Sequence, residues 1–259
     1  MRERDELKLS TPKQNSHKGQ NGVLLIIGGS KTFHGAPNTA IKAASKIVDL
    51  VYFYSPEKEN TTLVEKIKLA TADVIVLTRK QVFQKLKTFD CILIGPGMEE
   101  NTSNKRLTNL ILKQFNGKIV LDAGALKNAD KKLFKNRVTL TPHAEEFKKT
   151  FRAKPTKENM KTQAKKNNCV ILLKGRKDMI TDGRKIVLIS GGNVGMTKGG
   201  TGDCLAGITA ALACKNDLLT SAIIASKANK RSGESLYKKQ SYYYSASDLV
   251  DELSKALKF

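Results

Sequence analysis

From residue 22 onward, short apolar runs alternate with stretches whose apolar residues recur every three or four positions. "GVLLIIGG" (22 to 29) is an apolar run closed by glycines and reads as a buried strand. A helix is expected from Ala36. Pro37 stands in its first turn, where a missing N–H costs little, and Ala40, Ala43, Ala44, Ile47 and Val48 form one face. "LVYFYS" (50 to 55), "ADVIVLT" (72 to 78) and "DCILIGPG" (90 to 97) read as further strands. Asn101 or Thr102 could cap a helix whose face is Leu107, Leu110, Ile111 and Phe115. "GKIVLDAGAL" (117 to 126) gives a strand ending at Asp122. "RVTLTPH" (137 to 143), followed by a short helix, and "NCVILLKG" (168 to 175) give two more. Between 178 and 190, Asp182-Gly183 separates two apolar segments, a hairpin signal. The last third reads as three helices, at 203 to 214, about 218 to 237, and 247 to 257.

Strands alternating with helices predict an α/β fold with a mostly parallel central sheet and helices on both faces. No repeat or long linker interrupts the pattern, so residues 1–259 are read as one domain. In such sheets ligands bind beyond the carboxyl ends of the strands. Chemistry-bearing residues fall there: "GGS" (28 to 30), "GPG" (95 to 97), Asp122, "TPH" (141 to 143), Lys174-Gly175 and "GGTGD" (199 to 203).

Composition narrows the class. With 40% hydrophobic residues, the chain can build a core and is not a disordered tail. No run reaches the ~20 apolar residues of a membrane span, and the charged start "MRERDELKLSTPKQNSHKGQ" has no apolar signal region. A cytoplasmic location with no membrane partner is expected. The four cysteines form no CxxC pair and read as reduced, buried thiols. Net charge is +22, from 46 Lys plus Arg against 24 Asp plus Glu. That field attracts anions. The lysines are spread along the chain without interleaved aromatics, so a solvated surface is expected and no specific nucleic acid.

Two phosphate-binding loops are excluded. G-x-x-x-x-G-K-[ST] does not occur, and a G-x-G-x-x-G run fails at Leu205 or at Glu100. "KGGTGDCLAGITAALA" (198 to 213) offers another kind of anion hole. Its glycines allow close approach to a ligand, and the helix behind them presents unpaired N–H groups and a favourable dipole. A phosphoryl group could sit there while charge builds on it. Asp203 could then take the proton of an attacking hydroxyl, or it could simply cap the helix. His143 has no partner at metal spacing. Lys174-Gly175 could meet a phosphate or form an ordinary turn, and Asp122 is equally ambiguous.

Taken in order, "SHKGQNGVLLIIGGSKTFHGAP", "IGPGM", "LDAGAL", "LTPHAEEF", "LLKG" and "GGNVGMTKGGTGDCLAGI" resemble the ADP- or ATP-dependent NAD(P)H-hydrate dehydratases of the ribokinase-like superfamily. The resemblance runs from about Ser16 to Ala213. It implies a repair reaction in which the S-form of hydrated NADH or NADPH is phosphorylated on its ring hydroxyl and then loses phosphate. It makes Asp203 the base. It gives substrate contacts to Ala36, Gly97, His143 and Asp203. Gly199, Gly200, Thr201 and Gly202 would hold the transferring phosphate. The adenine nucleotide would lie along Lys174, Gly175, Arg176, Lys177 and Asp178 and at Gly202. Mg²⁺ would bridge the phosphates, with no dedicated protein ligand visible. A homo-oligomer is expected, and the family's epimerase domain, often fused in front, has no room here.

The chain departs from the family pattern twice. Glu145 in "PHAEE" replaces a usual glycine, adding bulk and negative charge near a site for anions. Gly124 in "DAGAL" replaces a usual acid. Either could alter substrate binding, but both leave Asp203 and its loop intact. The nearest alternative is a ribokinase-like kinase acting on the hydroxyl of a vitamin precursor. It would use the same groups and release a phosphorylated product. A non-catalytic nucleotide-binding or nucleic-acid-binding protein rests on charge alone.

Overall fold

The computed structural model describes residues 9–60, 62, 65 and 74–258. Residues 1–8 of the charged amino-terminal stretch, and 72 and 73 of the expected strand 72 to 78, lie outside the described residues. The apolar runs form β1 (Val23–Ile27), β2 (Leu50–Tyr54), β3 (Val74–Val76), β4 (Cys91–Ile94), β5 (Lys118–Leu121), β6 (Val138–Leu140) and β7 (Val170–Leu173). β8 (Asp178–Thr181) and β9 (Ile186–Ile189) are the two arms of the hairpin around Asp182-Gly183. Among the described residues these pair into one sheet of order β3-β2-β1-β4-β5-β6-β7-β8-β9. The pairs from β3 to β7 are parallel, and β8 and β9 run antiparallel at one edge.

Both faces of the sheet are covered, which is why the central strands are continuously apolar. Alternate residues divide between two cores. Leu24, Ile26, Phe53, Leu93 and Val120 pack against α1 (Gly35–Ser45), α7 (Thr201–Ala213), α8 (Leu218–Gln240) and α9 (Ala246–Ala256). Leu25, Ile27, Ile92, Ile94 and Leu121 pack on the opposite face. There they meet α2 (Arg79–Gln84), α3 (Thr102–Gln114), α4 (Gly124–Asn128), α5 (Ala144–Phe151) and α6 (Lys157–Asn167). Asn101, not Thr102, caps α3: its side chain accepts from Asn104 N–H at 2.8 Å. α2 and α6 are absent from the sequence reading. Their apolar faces are thin, with Val82 alone buried in α2 and Met160 and Ala164 in α6, so helical periodicity has little to act on.

The strand order reverses between β1 and β4. β1 leads into α1 on one face and β4 into α3 on the other, so their outgoing loops part and leave a crevice at the carboxyl edge. β5, β6 and β7 continue along that edge and deliver Asp122, Thr141-Pro142-His143 and Lys174 to it in turn.

Candidate active site

α7 begins with Gly200 as its N-cap, in the left-handed region at φ +93°, and no side chain makes a capping hydrogen bond there. A Cβ on Gly200 would stand 2.8 Å from that of Ala246 on α9. Glycine therefore answers both the backbone conformation and the close packing. The helix starts at Thr201, two residues earlier than its apolar pattern suggests, because the glycine-rich segment supplies its first turn. Asp203 consequently sits inside that turn and is not the cap. Of the first N–H groups of α7, that of Thr201 donates to the Lys198 carbonyl at 3.4 Å and that of Gly202 is left for a ligand. Thr201 turns its hydroxyl inward, donating to the Met196 carbonyl at 2.7 Å and the Lys198 carbonyl at 3.0 Å. Its side chain shapes the loop, while Gly199 stands over open space.

Lys174, at the end of β7, lies under this loop. A Cβ on Gly202 would be 3.4 Å from its Nζ. The ammonium donates to Asp122 Oδ1 at 2.7 Å and lies 3.9 Å from Glu146 Oε2. Thr141 donates to the same Asp122 oxygen at 2.8 Å. Burial alone would depress the Lys174 ammonium, but Asp122 and Glu146, with a smaller push from Asp203, hold it above its ordinary value. Asp203 moves the other way from a usual carboxylate. Burial raises it first and the Asp122 charge second, to about 7, against the lowering pull of Lys174. A carboxyl poised near neutrality can accept a proton and give it up again.

His143 is partly built into the frame. Its Nδ1 accepts from the Glu145 and Glu146 N–H groups at 3.2 and 3.4 Å, while Glu146 returns a carboxylate to the His143 N–H at 2.8 Å. This capping box starts α5. Nδ1 is thereby the acceptor, and Nε2 lies 3.5 Å from Glu146 Oε2. Glu145 points away into an ion pair with Lys148 at 2.5 Å. Hydrogen bonding and charge from Lys148 hold its carboxyl below the usual range. The added negative charge feared at this position is therefore partnered on the helix surface.

Across the crevice, the loops after β1 and β4 close on each other. Gly29 N–H donates to the Pro96 carbonyl at 2.8 Å, and a Cβ on Gly97 would lie 3.2 Å from that of Ala36. Ala36 and Gly97, the two substrate contacts expected from these loops, thus lie side by side. Phe33, Met98, Gly124, His143 and Glu146 line a cavity of about 560 Å³ beside this corner. The Gly124 departure fits here: a Cβ would come within 2.1 Å of the Met98 carbonyl. A side chain there would displace the loop that walls the cavity.

The segment after Lys174 is anchored from behind. Gly175 N–H donates to Asp178 Oδ1 at 2.9 Å, and Ser226 donates to Asp178 Oδ2 at 2.6 Å. Lys230, 7% exposed, lies 3.4 Å from Asp178 and donates to the Gly175 and Arg176 carbonyls at 3.1 and 3.2 Å. Asp178 is therefore internal, and Gly175, Arg176 and Lys177 form the exposed tip. Asp122, an ambiguous strand-end acid in the sequence, pairs with Lys174, whereas Glu146, Ser226 and Lys230 carry the site but are missing from the sequence assignment. For the last two a signal existed: Ser226 and Lys230 are polar residues four apart on the face of α8 that otherwise reads apolar.

A crevice at a strand-order reversal, walled by a glycine-started helix with an acid in its first turn, is the architecture of the ribokinase-like α/β fold. An Enterococcus faecalis ribokinase-like superfamily protein matches it at TM-score 0.86 with 23% identity, over 96% of this chain and 91% of that one. Within that class the chain belongs to the NAD(P)H-hydrate dehydratase family (Carb_kinase), whose profile matches residues 24–255. It is 33% identical to the ADP-dependent (S)-NAD(P)H-hydrate dehydratase of Nitrosopumilus maritimus, over 95% of this chain and 92% of that protein. It is 37% identical to the bifunctional NAD(P)H-hydrate repair enzyme Nnr of Methanocaldococcus jannaschii, over 94% of this chain. The chain spans about half the length of the bifunctional relatives it matches. The Bacillus subtilis ADP/ATP-dependent NAD(P)H-hydrate dehydratase, co-crystallized with ATP/Mg²⁺, superposes at TM-score 0.84 with 26% identity, covering 96% of this chain and 94% of that one.

Proposed function

We propose that this chain performs the nucleotide-dependent dehydration of the S-form of hydrated NADH and NADPH. The observation that carries the reading is Asp203, held near neutrality beside Lys174 in the open first turn of α7. The substrate's ring would enter the cavity between Phe33 and His143, next to the corner where Ala36 and Gly97 pack against each other. The nucleotide would extend along Lys174 to Lys177, with its terminal phosphate at Gly199 to Gly202. Asp203 takes the proton as the ring hydroxyl oxygen attacks phosphorus, and the bond from phosphorus to the nucleotide's bridging oxygen breaks. The phosphorylated hydroxyl then leaves as phosphate. Its C–O bond breaks, the neighbouring carbon gives up a proton, and the ring double bond returns. Loop N–H groups and Lys174 hold the charge that builds on the phosphoryl oxygens.

Among the described residues no cluster of three or more His, Cys, Asp or Glu could cage a metal. Mg²⁺ commonly keeps several waters and binds through phosphates plus one or two carboxylates. The donor set therefore fits an ion that arrives with the nucleotide, and Asp203 in the first turn of α7 is the carboxylate that could meet it there. When bound, it neutralises phosphate charge. ADP is the donor to test first, since the Nitrosopumilus and Cenarchaeum relatives are named ADP-dependent. The four free, buried thiols fit a cytoplasmic setting, and exposed Tyr237, Tyr242 and Tyr243 offer apolar surface for a homo-oligomer. No helix among the described residues is long and apolar enough to cross a membrane.

The test is incubation of folded protein with hydrated NADH, Mg²⁺ and either nucleotide. The expected result is free phosphate together with regained near-ultraviolet absorbance of the reduced nicotinamide. A stable phosphorylated product would mark a kinase instead. No recovery with either nucleotide would refute the dehydratase reading.

A further inference from the structure

A second cavity, of about 720 Å³, opens on the flank between α3, α4 and α6. It lies by the segments that enter β6 and β7 at their amino ends, the opposite end from His143 and Lys174. Lys105, Lys127, Lys131, Lys132, Lys135 and Lys166 line it, against one carboxylate, Asp130. Two of the six are engaged: Lys127 pairs with Glu100 at 2.6 Å, and Lys131 donates to the Thr150 carbonyl at 3.2 Å. The ammonium groups of Lys105, Lys132, Lys135 and Lys166 have no hydrogen-bond or ion-pair partner among the described residues. Asp130 is itself occupied, accepting from the Lys132 N–H at 3.1 Å.

The backbone here turns through the left-handed region at Lys135 and Asn136, φ +49° and +59°, and at Asn168, the C-cap of α6, φ +47°. Asn136 N–H donates to the Asn168 carbonyl at 3.0 Å and ties the two turns together beside the cavity. The four free ammonium groups are exposed and gather around one concavity, where their summed field attracts an anion.

We propose that this cavity is a second anion site, taking a compact ligand that carries several phosphate groups. The lining fits that class better than others. Lysines are point charges suited to phosphate, whereas planar carboxylates are favoured by arginine forks, and no arginine lines the cavity. Its volume matches small-molecule sites. No aromatic side chain lines it to stack bases, which argues against single-stranded nucleic acid. The inference does not rest on the dehydratase reading.

The probe is inorganic tripolyphosphate, titrated calorimetrically at low salt without Mg²⁺ into protein saturated with ADP, so that the Asp203 site is filled. One binding event is expected. It should weaken by about tenfold or more in a Lys132→Gln/Lys135→Asn double variant, the size of losing two exposed ion pairs. Asparagine tolerates the left-handed backbone at 135, so melting temperature and hydrate turnover should stay at wild-type values. No binding either with or without ADP, or equal binding by the double variant, would overturn the proposal. So would an oligothymidylate of matched charge that binds more tightly than tripolyphosphate and loses affinity in the same variant, because the face would then belong to single-stranded nucleic acid.

Discussion

Asp122 and Lys174 pull the Asp203 carboxyl in opposite directions, and variants of Asp203 and Asp122 should separate. Asp203→Asn should lower hydrate turnover by ~10²-fold or more, the usual worth of a general base. Asn caps a helix about as well as Asp, so an Asn variant that kept its rate would reduce Asp203 to a helix-terminal acid. The wild-type kcat/KM should rise with pH along a limb centred near 7, since this parameter reports the free enzyme. Asp122→Asn should move that limb to lower pH, because the Asp122 charge helps to raise Asp203. A limb that stayed in place would break the electrostatic link. Stability follows the same group. The folded carboxyl is raised above its unfolded value of 3.8, so its favourable contribution is present at low pH and is lost as pH rises through about 7. Asp203→Asn should therefore gain melting temperature relative to wild type at about pH 8 but not near pH 4. At this scale the sequence was informative where residue type and spacing coincide, as in "GGTGD". It left Asp122 ambiguous, because the role of that residue comes from Lys174, fifty-two positions away.

Elements bring these residues together by touching closely. α1 and α7 cross with Gly207 against the Ala40 backbone, where a Cβ would stand 2.5 Å from a carbonyl oxygen. Gly207→Ala should cost about 1–3 kcal/mol through overpacking, read as a lower midpoint in chemical denaturation. An unchanged midpoint would mean that the two helices slide apart without penalty. α8 acts from behind the site. Lys230→Met would leave Asp178 facing Ser226 without its cation and free three carbonyls. Breaking such a buried pair costs about 3–5 kcal/mol. The nucleotide KM should rise with it, because the 174 to 178 turn loses its anchor. A KM that held steady in a destabilised variant would limit Lys230 to the core. Strand positions were legible because buried parallel strands are uninterrupted apolar runs. Helix limits were less so: α7 starts in glycines that have no helical signature, and α8 runs past 237 to Gln240 through lysines.

At the scale of the molecule, the parallel sheet and the two-sided cover followed from the alternation of strands and helices. The strand order did not, because nothing local tells β4 to pair with β1 beyond β2. That choice creates the crevice, so the site's location depends on the least legible feature of the chain. The burial of all four cysteines has a practical consequence. Burial pushes the Cys169 and Cys204 thiols up to about 12 and Cys214 well above its usual value, so a thiol reagent finds no reactive sulfur on the native surface. Alkylation must wait for the fold to breathe, and its rate becomes a clock for those openings. Cys204 is adjacent to Asp203, and a nucleotide seated on α7 must leave before that helix can open. With ADP at about 100 times its Kd, labelling of Cys204 read by mass spectrometry should slow roughly a hundredfold. If Cys204 ticks at the same rate with and without ADP, the nucleotide does not rest on α7.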